Sequence, residues 1–187
     1  MQRGGLAPAP ALYHGKPKGA EIDLSEMTIE AETFRHVLGH YPTGVCVVTA
    51  LDPAGNPCGL VVGSFTSVSL DPPLVGFFPD KRSSSWPLIE QAGHFCVNVL
   101  ASDQTELCRQ IAKPGPEKFA GLEYEISAHN LPVLAGATVA IECRLHAVIE
   151  AGDHWLALGL VLGLEARRDA DPMLFFRGQY GGFARRD

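Results

Sequence analysis

The residues of this chain that could do chemistry collect in two stretches. In Gly59-Leu60-Val61-Val62-Gly63-Ser64-Phe65-Thr66-Ser67, small residues let backbone amides approach a ligand while Ser64 and Ser67 supply hydroxyls. In Phe78-Pro79-Asp80-Lys81-Arg82-Ser83-Ser84-Ser85, two cations stand beside three hydroxyls at the expected start of a helix. Helix-end amides, hydroxyls and positive charge acting together would stabilise a phosphate there. The same residues also suit a plain helix cap with solvated cations, and composition does not choose between the two. Other signatures are missing: there is no Gly-x-Gly-x-x-Gly, no Gly-x-x-x-x-Gly-Lys-Ser/Thr, no His-Glu-x-x-His and no Gly-x-Ser-x-Gly. Their absence argues against glycine-fingerprint dinucleotide domains, nucleoside-triphosphate enzymes, zinc proteases and α/β-hydrolases. Of seven histidines only His36 and His40 have a metal-like i, i+4 spacing, and no Glu partner completes a zinc pattern, so no metal is expected.

The elements that must position these stretches are mostly strands. Around Thr28 the pattern is helical: Thr28 can cap, Glu30 and Glu32 suit the positive helix end, and Phe34, Val37 and Leu38 share a face. Beyond Tyr41-Pro42-Thr43-Gly44 a β-branched run at 45–49 turns at 52–57 and returns at 58–62 as a hairpin. Further strands are expected at 65–70, 74–78 and 95–100. A short helix at 85–92 ends on Gly93, and a second runs from Ser102 or Asp103 to Ala112 with Asp103 and Glu106 as a reciprocal cap. Val139, Ile141, Cys143, Leu145, Ala147 and Ile149 alternate with Glu142, Arg144 and His146, which is a strand with one buried face. A turn at 151–153 leads to a strand at 154–165, and 173–176 forms a last one. Strand following strand through tight turns predicts a mainly β fold, an antiparallel barrel with a few flanking helices.

Bulk properties narrow the function. The 187 residues suffice for one domain at 28–187 with a sizeable core, preceded by a flexible N-terminal arm at 1–27 that does not read as a secretory signal. A net charge of −6 disfavours nucleic acid and anionic membrane surfaces as partners, and no apolar run is long enough to span a bilayer. Five cysteines without a Cys-x-x-Cys pair, mostly inside apolar runs, read as buried thiols in a reducing cytoplasm.

An ordered succession of motifs resembles the short-chain flavin reductase family, whose fold is the FMN-binding split barrel. Tyr41-Pro42-Thr43-Gly44-Val45 opens it, followed by Gly59 to Phe65 with Thr66-Ser67-Val68-Ser69-Leu70-Asp71-Pro72-Pro73-Leu74. Gly93-His94-Phe95-Cys96-Val97-Asn98-Val99-Leu100, Glu117-Lys118-Phe119-Ala120-Gly121, Gly152-Asp153-His154 and Pro172-Met173-Leu174-Phe175-Phe176-Arg177-Gly178-Gln179-Tyr180 come next in the family's order. The resemblance implies a homodimer holding FMN or FAD, reduced by NADH or NADPH, with reduced flavin leaving for a separate flavin-dependent oxygenase. It implies a first flavin-lining segment at Pro57, Cys58, Gly59, Leu60 and Val61, and a second at Gly63 and Ser64. A loop for the phosphate side falls on Phe78, Pro79, Asp80, Lys81, Arg82, Ser83 and Ser84, and a further contact on Ala112 and Lys113. His154 matches the histidine near the nicotinamide and is the candidate catalytic residue; Tyr180 falls in the C-terminal motif near the same cleft. Family members often carry Thr and Asn or Gln where this chain has Val61 and Gly63, so backbone groups or water would replace those hydrogen bonds.

Hydride transfer between two such cofactors needs no protein nucleophile, so the chain's task would be placement of two rings and exclusion of water. Two other readings stay open at this point. One is an oxidoreductase that keeps its flavin and acts directly on a small organic substrate. The other is a flavin-binding module without activity, against which Gly152-Asp153-His154 speaks.

Overall fold

A computed structural model of the protein describes residues 29–184. Three helices, α1 (Ala31–Leu38), α2 (Trp86–Ala92) and α3 (Thr105–Ala112), accompany twelve strands. These are β1 (Thr43–Gly44), β2 (Cys46–Leu51), β3 (Pro57–Val62), β4 (Thr66–Leu70), β5 (Pro73–Phe77), β6 (His94–Val99), β7 (Tyr124–Ile126), β8 (Pro132–Leu134), β9 (Val139–Ala151), β10 (His154–Ala166), β11 (Leu174–Phe176) and β12 (Gln179–Gly181). Seven form one antiparallel sheet in the order β3-β2-β6-β9-β10-β5-β4.

The sheet order explains the architecture. β3 and β4 follow one another in the chain yet stand at opposite edges of the sheet. Cys58, Leu60 and Val62 from one end nevertheless share a core cluster with Val75 and Phe77 from the other, so the sheet curls until both ends face one interior. This is the split barrel: a rolled sheet whose seam is crossed by the short link at 63–65 and not closed by a ladder. Trp86 and Ile89 of α2 are buried in that interior, with Trp86 and Phe95 each edge-on to Phe77 at 5.7 and 5.4 Å between ring centroids. The other face of β2 and β3 buries Val45, Val47 and partly Val61 against Cys108 and Ile111 of α3, Phe119 and Leu134.

Two positions show how tightly the barrel wall is built. Asn98 is fully buried in β6; its amide N–H groups donate to Thr49 Oγ1 (3.0 Å) and the Val47 carbonyl (3.2 Å), and its Oδ1 accepts from the Leu134 N–H (2.8 Å). It thereby ties β8 to the barrel, because Leu134 is fully buried and its N–H must find a partner inside the protein. At Gly159 the β9–β10 register shifts, and a Cβ there would lie 2.5 Å from Phe95 Cζ and 3.0 Å from Cys143 Cβ.

Several local expectations are corrected. Helix α1 begins at Ala31 with Glu30 as its N-cap and no side-chain cap; Thr28 and the arm at 1–27 lie outside the described residues. No residue of α1 is buried, and among the described residues the apolar face of Phe34, Val37 and Leu38 is left more than half exposed. Helix α3 starts one residue later than its expected reciprocal cap: Gln104 is the N-cap, Asp103 pairs with Arg168 and Glu106 with Arg109. A guanidinium offers Asp103 two charge-assisted bonds where a helix amide offers one. Among the described residues no helix is long and apolar enough to cross a membrane.

Two outcomes follow for stability. Asn98→Leu strands the Leu134 N–H and should lower unfolding free energy by about 1–3 kcal/mol in urea denaturation. Gly159→Ala should destabilise by a comparable ~1–3 kcal/mol through overpacking against the rigid Phe95 ring, read as a lowered Tm; an unchanged Tm would mean that the wall yields there.

Candidate functional site

The site is a cleft of about 560 Å³ at the barrel seam. Its first wall is the end of β3 and the link that follows, Leu60 to Ser64. At Gly63 a Cβ would come within 2.8 Å of Thr43 Oγ1, so a larger residue there would require the Thr43 hydroxyl to swing aside. The second wall is the loop after β5, from which Phe78, Pro79, Asp80, Arg82, Ser83 and Ser84 line the cleft. The Phe78 N–H donates to Ser64 Oγ at 2.9 Å, and this bond clips the two walls together across the seam. Ile111, Ala112, Pro114 and Lys118 close one end, and His154 at the start of β10 stands at the cleft as well.

The second wall is a continuation of the β5–β10 ladder. Trp155 N–H donates to the Pro79 carbonyl (2.9 Å), Lys81 N–H donates to the Asp153 carbonyl (3.0 Å), and Asp80 bridges to His154 in antiparallel sense. At residues 80–83 the chain turns: the Ser83 N–H donates to the Asp80 carbonyl at 2.9 Å and the Arg82 N–H donates to Asp80 Oδ1 at 2.7 Å. Within this turn Arg82 folds back on Asp80, pairing through Arg82 Nη2 and Asp80 Oδ2 at 2.7 Å, a contact that holds the Asp80 carboxyl well below the usual range. Lys81 goes the other way, to Glu150 at 2.6 Å with its ammonium 4.9 Å above the Trp155 ring.

Histidine orientation is set by its neighbour. His154 Nδ1 lies 2.7 Å from Asp153 Oδ1, and the hydrogen bond to that histidine keeps the Asp153 carboxyl below its ordinary pKa. An ionised carboxylate only accepts, so Nδ1 carries the proton and Nε2 of the neutral ring is left as an acceptor.

The sequence-derived site residues divide accordingly. Leu60, Val61, Gly63, Ser64, Phe78, Pro79, Asp80, Arg82, Ser83, Ser84, Ala112 and His154 come together around the cleft. Pro57, Cys58 and Gly59, earlier on β3, line an adjoining hollow. Lys113 lies on a third depression beyond α3. Lys81 is turned to Glu150, as above. Tyr180 is held on the outer face, where its hydroxyl accepts from Cys108 Sγ (3.4 Å); that bond, with burial, pushes the phenol up to about 12. Ser83 caps α2, accepting from the Trp86 N–H at 3.2 Å. Lys118, with Ile111 and Pro114, is a cleft residue that sequence reasoning missed. It lies in a quoted motif, Glu117-Lys118-Phe119-Ala120-Gly121, but a lysine in a Pro- and Gly-rich loop gives no sign of turning inward.

The cleft fits a flavin. Leu60, Val62, Phe78 and Ile111 offer apolar surface to a fused ring, while Ser84 and Arg82 offer a hydroxyl and a cation to a phosphate. Among the described residues no cluster of His, Cys, Asp and Glu could hold a metal ion.

Comparison with known proteins agrees with this geometry. Residues 38–184 match the family model described as "Flavin reductase like domain". A flavin reductase of Pseudomonas putida is 51% identical over 162 residues, covering 87% of this chain and 95% of that protein. The FMN reductase (NADH) SmoA of Agrobacterium fabrum is 44% identical, covering 83% of this chain and 87% of the relative. Among solved structures, nitrilotriacetate monooxygenase component B from Mycobacterium thermoresistibile superposes with a TM-score of 0.79 at 42% identity, covering 82% of this chain and 86% of its own. With its split barrel, its seam cleft and a family match over nearly all the described residues, the chain belongs to the flavin reductase family.

Proposed function

We propose that this chain is an NAD(P)H:flavin oxidoreductase that passes reduced flavin to a separate oxygenase component. The observation that carries the reading is the seam cleft itself: an apolar wall, a hydroxyl-and-cation wall and one oriented imidazole around a space of about 560 Å³. When bound there, the flavin accepts a hydride from a reduced nicotinamide. The protein's part is positional. Phe78 and the backbone of residues 60–64 bear on the flavin ring, Ser64 holds the two walls at fixed separation, and Arg82 with Ser84 meets phosphate. His154 Nε2, oriented by Asp153, accepts a hydrogen bond from the incoming nicotinamide amide and keeps its ring over the cleft. The name of the Mycobacterium thermoresistibile structure, a monooxygenase component, supports transfer of the product to a second protein.

The same reading includes a homodimer and a cytoplasmic location. The whole of α1 is unburied, with Phe34 and Val37 each more than half exposed, and a second copy would cover that face. All five cysteines are free and buried, which suits a reducing compartment.

Following nucleotide oxidation by absorbance with each pairing of NADH or NADPH with FMN or FAD tests the activity; oxidation that does not depend on added flavin would overturn it. His154→Ala should lower the rate of flavin reduction by about 10- to 100-fold while changing flavin affinity by less than about threefold, a split that stopped-flow and fluorescence titration resolve. Arg82→Ala should weaken flavin binding several-fold, and less so at high salt, whereas Lys81→Ala should leave it unchanged because Lys81 serves Glu150 and Trp155.

A further inference from the structure

Two cavities meet at one partly buried cation. Beside the cleft lies a second hollow of about 700 Å³, and Ser84 and Lys118 belong to the walls of both. Lys118 Nζ donates to Ser85 Oγ at 2.9 Å and, at a longer 3.4 Å, to the Gly59 carbonyl. An ammonium has three N–H donors, so one remains. Among the described residues no carboxylate lies within ion-pair distance of it, and removal from water draws its pKa below the ordinary lysine value. A cation held this way, by neutral oxygens at the junction of two cavities, is set to receive an anion that spans them.

The hollow's other walls describe the rest of the ligand. Pro57, Leu88 and Phe119 present apolar surface suited to a purine face, and Asn56 and Glu117 present polar groups suited to sugar hydroxyls and base edges. The nearby Asp52 carboxylate is already engaged by the Ala54 and Asn56 N–H groups, at 2.9 and 2.8 Å. Arg82, Ser83 and Ser84 would suffice for the single phosphate of FMN within the cleft, which leaves Lys118 and the hollow for something longer.

We infer that Lys118 binds the diphosphate of a flavin adenine dinucleotide whose ring lies in the cleft and whose adenosine half lies in the hollow, so that FAD is the preferred flavin. This deepens the flavin reading and rests on it. The test is fluorescence titration of the purified protein with FAD and with FMN. The wild-type chain should bind FAD at least about tenfold more tightly than FMN. Lys118→Met, which keeps the stem and removes the charge, should weaken FAD by about tenfold and FMN by less than twofold. Lys118→Arg should retain FAD binding. A second variant, Leu88→Trp, touches only the hollow and should weaken FAD alone, even if Lys118→Met fails to fold. Equal loss of both flavins in Lys118→Met would overturn the inference, as would unchanged FAD affinity. So would a raised KM for the nicotinamide nucleotide with FAD affinity intact, since that would give the hollow to the hydride donor. Failure of the wild-type chain to bind either flavin would instead sink the flavin function itself.

Discussion

Two backbone hydrogen bonds, Trp155 N–H to the Pro79 carbonyl and Lys81 N–H to the Asp153 carbonyl, carry the β5–β10 pairing past the end of β5 and out to the cleft. Because the ladder keeps one register from Phe77 opposite Ala157 to Asp80 opposite His154, the anion-facing loop and the imidazole are indexed to each other by main chain alone. Pro79 fits this ladder because only its carbonyl is used. The other wall is joined at one point, the Ser64 hydroxyl, so one rim is fixed by a sheet and the other by a side chain.

That arrangement decides what charge the cleft can use. Arg82 is paired with Asp80 before any ligand arrives, so a phosphate must share or displace a carboxylate to reach it. Lys118, backed only by Ser85 Oγ and the Gly59 carbonyl, bears no such competitor among the described residues. Two cations near one cavity are therefore unequal, and the one farther away in sequence is the more available.

The fold was legible where period and length were long. The alternation from Val139 to Ile149 marks β9, and Gly93 ends α2 in the left-handed conformation that its position demanded. Three-residue strands such as β7 and β8 have too few residues to display a period, and β8 is held through Asn98, a partner 36 positions away from Leu134. Of the site, the Gly- and Ser-rich link and the loop after β5 could be named from residue types. The divergence of Lys81 and Arg82 could not, because it depends on a turn at 80–83 that is anchored to the Asp153 carbonyl, a partner 72 positions away from Lys81. Asp103 shows the same limit: its local pattern suits a cap, but Arg168, 65 residues later, takes the carboxylate.

The five thiols carry a chemical consequence of their own. Withdrawal from water pushes Cys46, Cys96 and Cys143 up to about 12 and Cys58 to about 11, and raises Cys108 as well. At neutral pH such thiols stay protonated, and the thiolate is the form that oxidants attack. Any dihydroflavin that escapes into aerated solution reduces dioxygen to hydrogen peroxide, so a catalyst of this kind generates its own corrosive by-product. Sulfur kept protonated inside the wall of the barrel gives that peroxide little to oxidise.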